Sequence, residues 1–346
     1  MNEKILTDTV ARLVTPPKGI LAIDEGTKTC AGRFEKLGVP NTEEKRREYR
    51  ELLITAPGIE QFISGYILFD ETIRQKAKNG VTFTSILQSK GIEIGIKVDA
   101  GPLDFTDHPG EKVTSGLEGL SERLKEYKKL GATFAKWRAV YTIGEAVPTA
   151  ACMKKNAEIF VKYVELCQEE GIVPIVEPEI LMDGDHSLEK CYEVTSVNLQ
   201  VVFDALKAAK VFLPGLILKT NMILPGKDSK VAVFNREIAQ STVRCLKEKV
   251  PAEIGGIVFL SGGQKDEDAV INLDLMHQSL IGPLPWPLSF SYSRAIQNPV
   301  LRTWGQNPGQ VTRAQMLLVA AARNCSLASV GKYQHEDFKK LSRHPQ

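Results

Sequence analysis

Along most of the 346 residues, short runs of β-branched and apolar residues alternate with longer stretches whose apolar positions recur at helical spacing. The strand-like runs lie at 19–24, 63–69, 93–99, 134–140, 173–179, 215–221, 256–262 and 288–294, about 30 to 45 residues apart. Between them, 116–130, 149–170, 188–209, 235–249 and 266–280 read as amphipathic helices, often opened by Asp or Ser. Strands separated by helices pair in parallel, because the crossover uses up the intervening residues. Eight such units predict one (β/α)8 barrel, an α/β TIM barrel over 1–330, followed by a polar, mobile tail at 331–346. An open doubly wound sheet would carry a Gly-rich turn after its first strand, and Asp24-Glu25-Gly26-Thr27 is not one. No Pro-, Gly- or Ser-rich linker divides the chain.

Charge narrows the partners more than the fold. With 44 basic and 42 acidic side chains the net charge is +2, which gives no reason to expect nucleic acid or an anionic membrane as the main partner. Recognition of an anion then has to come from local placement of Lys and Arg. No segment approaches the ~20 apolar residues of a membrane span. Met1-Asn2-Glu3-Lys4 lacks the build of a secretory signal. A cytoplasmic protein is expected, with a plastid location after loss of a transit peptide as the alternative. The six cysteines show no C-x-x-C spacing and read as reduced thiols. The five histidines show no H-x-H or H-E-x-x-H spacing, so no metal site is expected.

Candidate chemistry begins with Lys219, a single ammonium in the apolar run Gly215-Leu216-Ile217-Leu218-Lys219-Thr220-Asn221. Burial there disfavours the charged form, and a free amine attacks carbonyl carbon to form a Schiff base. Alone, that lysine is better read as a strand-end residue whose head reaches water. The other strand ends change the reading, because functional groups of such barrels gather at the C-terminal rim. They bring Asp24, Lys97, Lys136 with Arg138, Glu177 with Glu179, Ser261 and Arg294 to that rim. Residues two apart share a face, so each pair points together. An ion-pair layer that merely fills the mouth is the alternative, but barrel interiors favour Val, Ile and Leu, and buried charge is costly unless partnered.

A phosphorylated carbonyl compound suits this ring. Lys219 is the candidate nucleophile, and Lys136 is expected to lower its pKa further by repulsion. Two glutamates so close are expected to raise the pKa of one of them toward the working pH, making Glu177 or Glu179 a proton donor. Asp24 offers a second base across the mouth. Gly262 and Gly263 can turn backbone N–H groups toward a phosphate, and Arg294 adds a fork of donors at the loops where barrel phosphate sites often lie.

The segments GILAIDEG (19–26), GIKVD (95–99), FAKWR (134–138), IVPIVEPEI (172–180) with DGDH (183–186), LILKTNM (216–222), FLSGGQ (259–264) and FSYSRA (290–295) resemble, in order, class I fructose-bisphosphate aldolase. The resemblance runs from about residue 18 to 333. It implies a metal-free, cofactor-free barrel enzyme of glycolysis and gluconeogenesis, assembled as a homotetramer. It further implies that Lys219 forms the Schiff base with the ketone of fructose 1,6-bisphosphate, and that Glu177 is the main proton-transfer group. Asp24 would position or deprotonate the C4 hydroxyl. Lys136 would stabilise the carbinolamine, with Glu179 orienting the cations. Ser261, Gly262, Gly263, Ser291 and Arg294 would hold the phosphate nearest the ketone, and Lys97, Arg138 and Arg33 the distal one.

Two departures stand out. Many animal members end in a tyrosine, whereas this chain ends His344-Pro345-Gln346, so a terminal-tyrosine route is not expected. Gly26 stands where the family commonly has serine, which removes a hydroxyl that Thr27 or Thr29 would have to replace. The rivals are another Schiff-base barrel such as a transaldolase, which recognises one phosphate, a scaffolding barrel, and a metal-dependent aldolase.

Overall fold

The computed structural model describes residues 2–278 and 282–334. Ten strands are formed: β1 (Gly19–Ala22), β2 (Ile63–Leu68), β3 (Glu93–Lys97), β4 (Gly101–Asp104), β5 (Lys112–Ser115), β6 (Phe134–Tyr141), β7 (Val173–Ile180), β8 (Ile217–Thr220), β9 (Gly256–Phe259) and β10 (Leu288–Tyr292). Eight of them close a parallel barrel in the order β1-β10-β9-β8-β7-β6-β3-β2, as the eight-fold alternation predicts. β4 and β5 form a separate antiparallel hairpin. It escapes the sequence pattern because its strands are four residues long, β4 is largely exposed and β5 buries only Thr114, so no apolar face marks them.

Period-2 alternation sorts each strand into two faces. The outer face, with Leu21, Tyr66, Trp137, Leu218 and Phe259, packs in the main core with the surrounding helices. The inner face is apolar at the bottom and charged at the top. Phe134 is followed by Lys136 and Arg138, Ile175 by Glu177 and Glu179, Ile217 by Lys219, and Ile20 by Ala22 and Asp24. Below, helix α1 (Glu3–Val14) inserts Leu6, Val10, Leu13 and Val14 against Ile20, Ile67, Phe134, Ile175, Ile217 and Val258. That plug leaves the C-terminal end as the open one.

The strands end two to three residues before the sequence pattern placed them in several cases. Asp24, Asp99, Ser261 and Gly262 lie in the first residues of βα loops, and Arg294 opens a helix. Ladder pairing stops where these polar side chains turn into the mouth. The helix expected from 116 begins at Leu120 as α6 (Leu120–Lys129), because Gly116 (φ 124°) and Gly119 (φ 62°) hold left-handed conformations that no helix continues. The helices α7 (Ala150–Glu169), α8 (Leu188–Ala208) and α9 (Asn235–Lys249) fall where the periodicity puts them, and α10 (Asp266–His277) ends before 279–281, which lie outside the described residues. All six cysteines are buried and unpaired. Among the described residues no helix is long and apolar enough to cross a membrane. Most of the expected tail, 335–346, lies outside the described residues. At its start the Tyr333 N–H donates to Asp274 Oδ1 at 2.8 Å, and its ring packs against the main core.

Candidate active site

At the C-terminal mouth lies a cavity of about 490 Å³. Asp24, Lys97, Lys136, Arg138, Glu177, Glu179, Lys219, Ser261, Gly262, Ser291, Arg294 and Arg33 all line it, and Gly263 borders it. Every residue singled out from the sequence is therefore brought to one place.

The floor is a chain of buried ion pairs. Lys219 Nζ stands 3.1 Å from Glu177 Oε1, Glu177 Oε2 stands 3.2 Å from Lys136 Nζ, and Lys136 Nζ reaches Asp24 Oδ2 at 2.9 Å. β1 and β7 are diametrically opposite in the barrel, so Lys136 on β6 spans the lumen between their carboxylates. Burial alone would push Lys136 down, but Asp24, Glu177 and Asp99 hold it above its ordinary value. Burial likewise raises Asp24 and Glu177, and the cations overcome it. Lys136, Lys219 and Lys97 hold Asp24 below the usual carboxylate range, and Lys136, Lys219 and Arg138 do the same for Glu177.

One electrostatic expectation is thereby corrected. The neighbouring glutamates do not push Glu177 up, because Glu179 is turned to Arg138, its Oε2 accepting from Arg138 Nε at 2.5 Å, and Glu177 faces lysines instead. Glu177 lies between Lys136 and Lys219, within hydrogen-bond reach of both.

The rim is different. Lys97 pairs with Asp99 at 2.6 Å, Arg33 with Glu25 at 2.6 Å, and Arg138 with Glu179. Arg294 has no carboxylate within 4.0 Å among the described residues, and burial holds its pKa below the ordinary guanidinium value. Counted by side chain, seven basic and four acidic groups line the cavity, so the mouth carries surplus positive charge. Gly262 (φ 55°) and Gly263 (φ 88°) occupy the left-handed region that glycine favours, and a Cβ on Gly263 would sit 3.8 Å from both terminal nitrogens of Arg294. The turn and the guanidinium thus share one anion-binding corner. Gly26 opens α2 (Thr27–Glu35) without a side-chain cap, and a Cβ there would meet only the Phe69 ring at 3.4 Å.

Several lining residues escaped the sequence reading. Lys36 follows Arg33 by three residues at the C-cap of α2, a spacing that could have placed it beside Arg33. Asp99 follows Lys97 by two residues and shares its face, which could have revealed their pairing. Glu25 and Ser293 gave no such signal, because their partners are distant in sequence.

A barrel whose mouth gathers a buried lysine, carboxylates and surplus cations is built as an enzyme site for an anionic substrate. Comparisons with known proteins fix the family. A model of the family described as fructose-bisphosphate aldolase class-I matches residues 5–345. The chain is 51% identical over 335 residues to a probable fructose-bisphosphate aldolase class 1 of Xanthomonas campestris pv. campestris, covering 96% of this chain and 100% of that one. It is 47% identical to fructose-bisphosphate aldolase 4, cytosolic, of Arabidopsis thaliana, covering 94% and 82%. The solved Plasmodium falciparum aldolase, crystallised with TRAP and a small-molecule inhibitor, superposes with a TM-score of 0.93 at 44% identity, covering 96% of this chain and 95% of that one. The chain belongs to the class I fructose-bisphosphate aldolase family, whose members are metal-independent aldehyde lyases.

Proposed function

We propose that this protein reversibly cleaves fructose 1,6-bisphosphate to dihydroxyacetone phosphate and glyceraldehyde 3-phosphate through a Schiff base on Lys219. The observation that carries this reading is the Lys219 amine 3.1 Å from the Glu177 carboxylate, at the floor of a cationic mouth. Glu177 takes a proton from the Lys219 ammonium, and the freed amine adds to the C2 carbonyl. The proton returns to the new hydroxyl, which leaves as water, and the resulting iminium becomes an electron sink. Lys136, held between Asp24 and Glu177, stabilises the oxyanion of the addition step. Asp24 or Glu177 removes the C4 hydroxyl proton. The C3–C4 pair of electrons flows to the iminium, leaving an enamine that is reprotonated at C3 and hydrolysed to release the ketone product and the lysine.

Ser261, Gly262, Gly263, Ser291 and Arg294 hold the phosphate nearest the ketone, and Lys97, Arg138 and Arg33 the distal one, with Glu179 orienting Arg138. The protein works as a homotetramer in the cytoplasm. The barrel is the catalytic unit, and residues 331–346 are dispensable for turnover. The test is a cleavage assay on the bisphosphate and on fructose 1-phosphate, with and without EDTA. Cleavage of both sugars, faster on the bisphosphate and unchanged by EDTA, is the expected result. Loss of activity in EDTA, or preference for the monophosphate, overturns the reading.

A further inference from the structure

Glu25 sits behind the rim and is the most heavily hydrogen-bonded carboxylate of the mouth. Its Oε1 accepts from Arg33 Nη1 at 2.6 Å, Ser293 Oγ at 2.6 Å and Gln297 Nε2 at 2.8 Å, while Oε2 faces Arg50 Nη1 at 2.8 Å. The donors differ in freedom. Arg50 is 2% exposed and also donates to the Glu25 carbonyl at 3.1 Å. Gln297 is fully buried and tied at both ends, giving a hydrogen bond to the Ala22 carbonyl and accepting one from Tyr49 Oη. Arg33 and Ser293 are the two donors that line the cavity. Glu25 therefore has a fixed half, made by Arg50 and Gln297, and a working half that faces the mouth. Its charge is already balanced by Arg50, so Arg33 is a surplus cation held at the rim by Nη1 on Glu25 and, at 3.4 Å, by Nη2 on Ser293 Oγ, with its remaining N–H donors free for an anion.

We infer that Glu25 is a positioning residue that aims Arg33 at the distal phosphate of the substrate, using the buried Arg50 as its own anchor. This role rests on the proposed cleavage of a doubly phosphorylated sugar.

The test compares KM and kcat for fructose 1,6-bisphosphate and fructose 1-phosphate in wild type, Arg33→Ala, Glu25→Gln and the double variant. Arg33→Ala and Glu25→Gln should each raise KM for the bisphosphate about tenfold, as expected for one charge-assisted phosphate contact. KM for the monophosphate, and kcat for both sugars, should stay within about threefold of wild type on the same reasoning. In the double variant the Arg33→Ala change should add less than about twofold, because Arg33 is already misdirected. If Glu25→Gln fails to fold, Glu25→Asp keeps the charge beside Arg50, withdraws it from Arg33, and should show the same selective rise. A purely structural Glu25 would affect both sugars alike, or leave the Arg33→Ala effect undiminished, and either result overturns the inference. An inactive wild type would instead overturn the cleavage reading itself.

Discussion

The two ends of this barrel are built from the same strands and behave as opposites. At the bottom, Phe134, Ile175 and Ile217 point inward and α1 closes the opening with Leu6, Val10, Leu13 and Val14. Two or four residues further along the same strands, the inward positions are Lys136 and Arg138, Glu177 and Glu179, and Lys219. The bottom gains from removing apolar surface from water, a non-directional effect that tolerates exchange of similar shapes. The top retains charges in a low-dielectric enclosure, which is tolerable because the pairs are matched at 2.9 to 3.2 Å. Stability and chemistry are thus separated along the barrel axis, and substitutions at the two ends should separate in the same way.

The strongest way to break that division is Lys219→Ala. It should lower the cleavage rate by roughly 10⁴-fold or more, checked by steady-state kinetics. Next is Glu177→Gln, which removes the proton carrier and should cost about 10²- to 10⁴-fold in kcat with a modest change in KM. At the other end, Leu13→Ala empties a fully buried position and should destabilise the fold by about 2–5 kcal/mol in urea titrations. Its kcat at 25 °C should stay within about twofold of wild type, because no mouth residue moves. A large kcat loss in Leu13→Ala would show that the two ends are coupled.

Acid provides a smaller, graded contrast. Burial raises Glu25, but Arg50 and Arg33 lower it to about 2. A carboxylate whose folded pKa lies below its unfolded value of 4.5 contributes stability that is complete above that value and fades as pH falls toward 2. Asp24 and Glu177 are shifted in the same direction. The thermal midpoint should fall between pH 5 and pH 2.5, as the unfolded chain takes up protons that the folded mouth does not. A midpoint that stays flat over this window would contradict the matched-charge description. The smallest effect is that of Gly26→Ser, which adds a hydroxyl where the backbone leaves room and should lower KM for the bisphosphate about two- to threefold.

Much of this was legible in the sequence, for physical reasons that also mark the boundary. The parallel strands read clearly because they are short apolar runs between amphipathic helices, and the mouth read clearly because inward charge on a strand is costly and rare. Lys219 stood out for that reason before any partner was known. Its neighbour Glu177, 42 residues earlier, became a contact only when β7 and β8 paired. Glu177 is lowered rather than raised because Glu179, beside it in sequence, turns to Arg138, while the lysines that lower it lie on the flanking strands β6 and β8, distant in sequence. The Glu25 cluster was not legible at all. It joins residues 25, 33, 50, 293 and 297, which meet only when the barrel closes β1 against β10.

Mass spectrometry of the protein incubated with dihydroxyacetone phosphate and borohydride tests the Lys219 chemistry most directly, because reduction fixes the imine as a stable amine. The predicted result is a gain per subunit of one substrate mass less one oxygen (water lost on imine formation, two hydrogens added on reduction), located by peptide sequencing on Lys219 and absent from Lys219→Ala. No covalent gain in wild type, or a gain carried by Lys136 or another lysine, would contradict it.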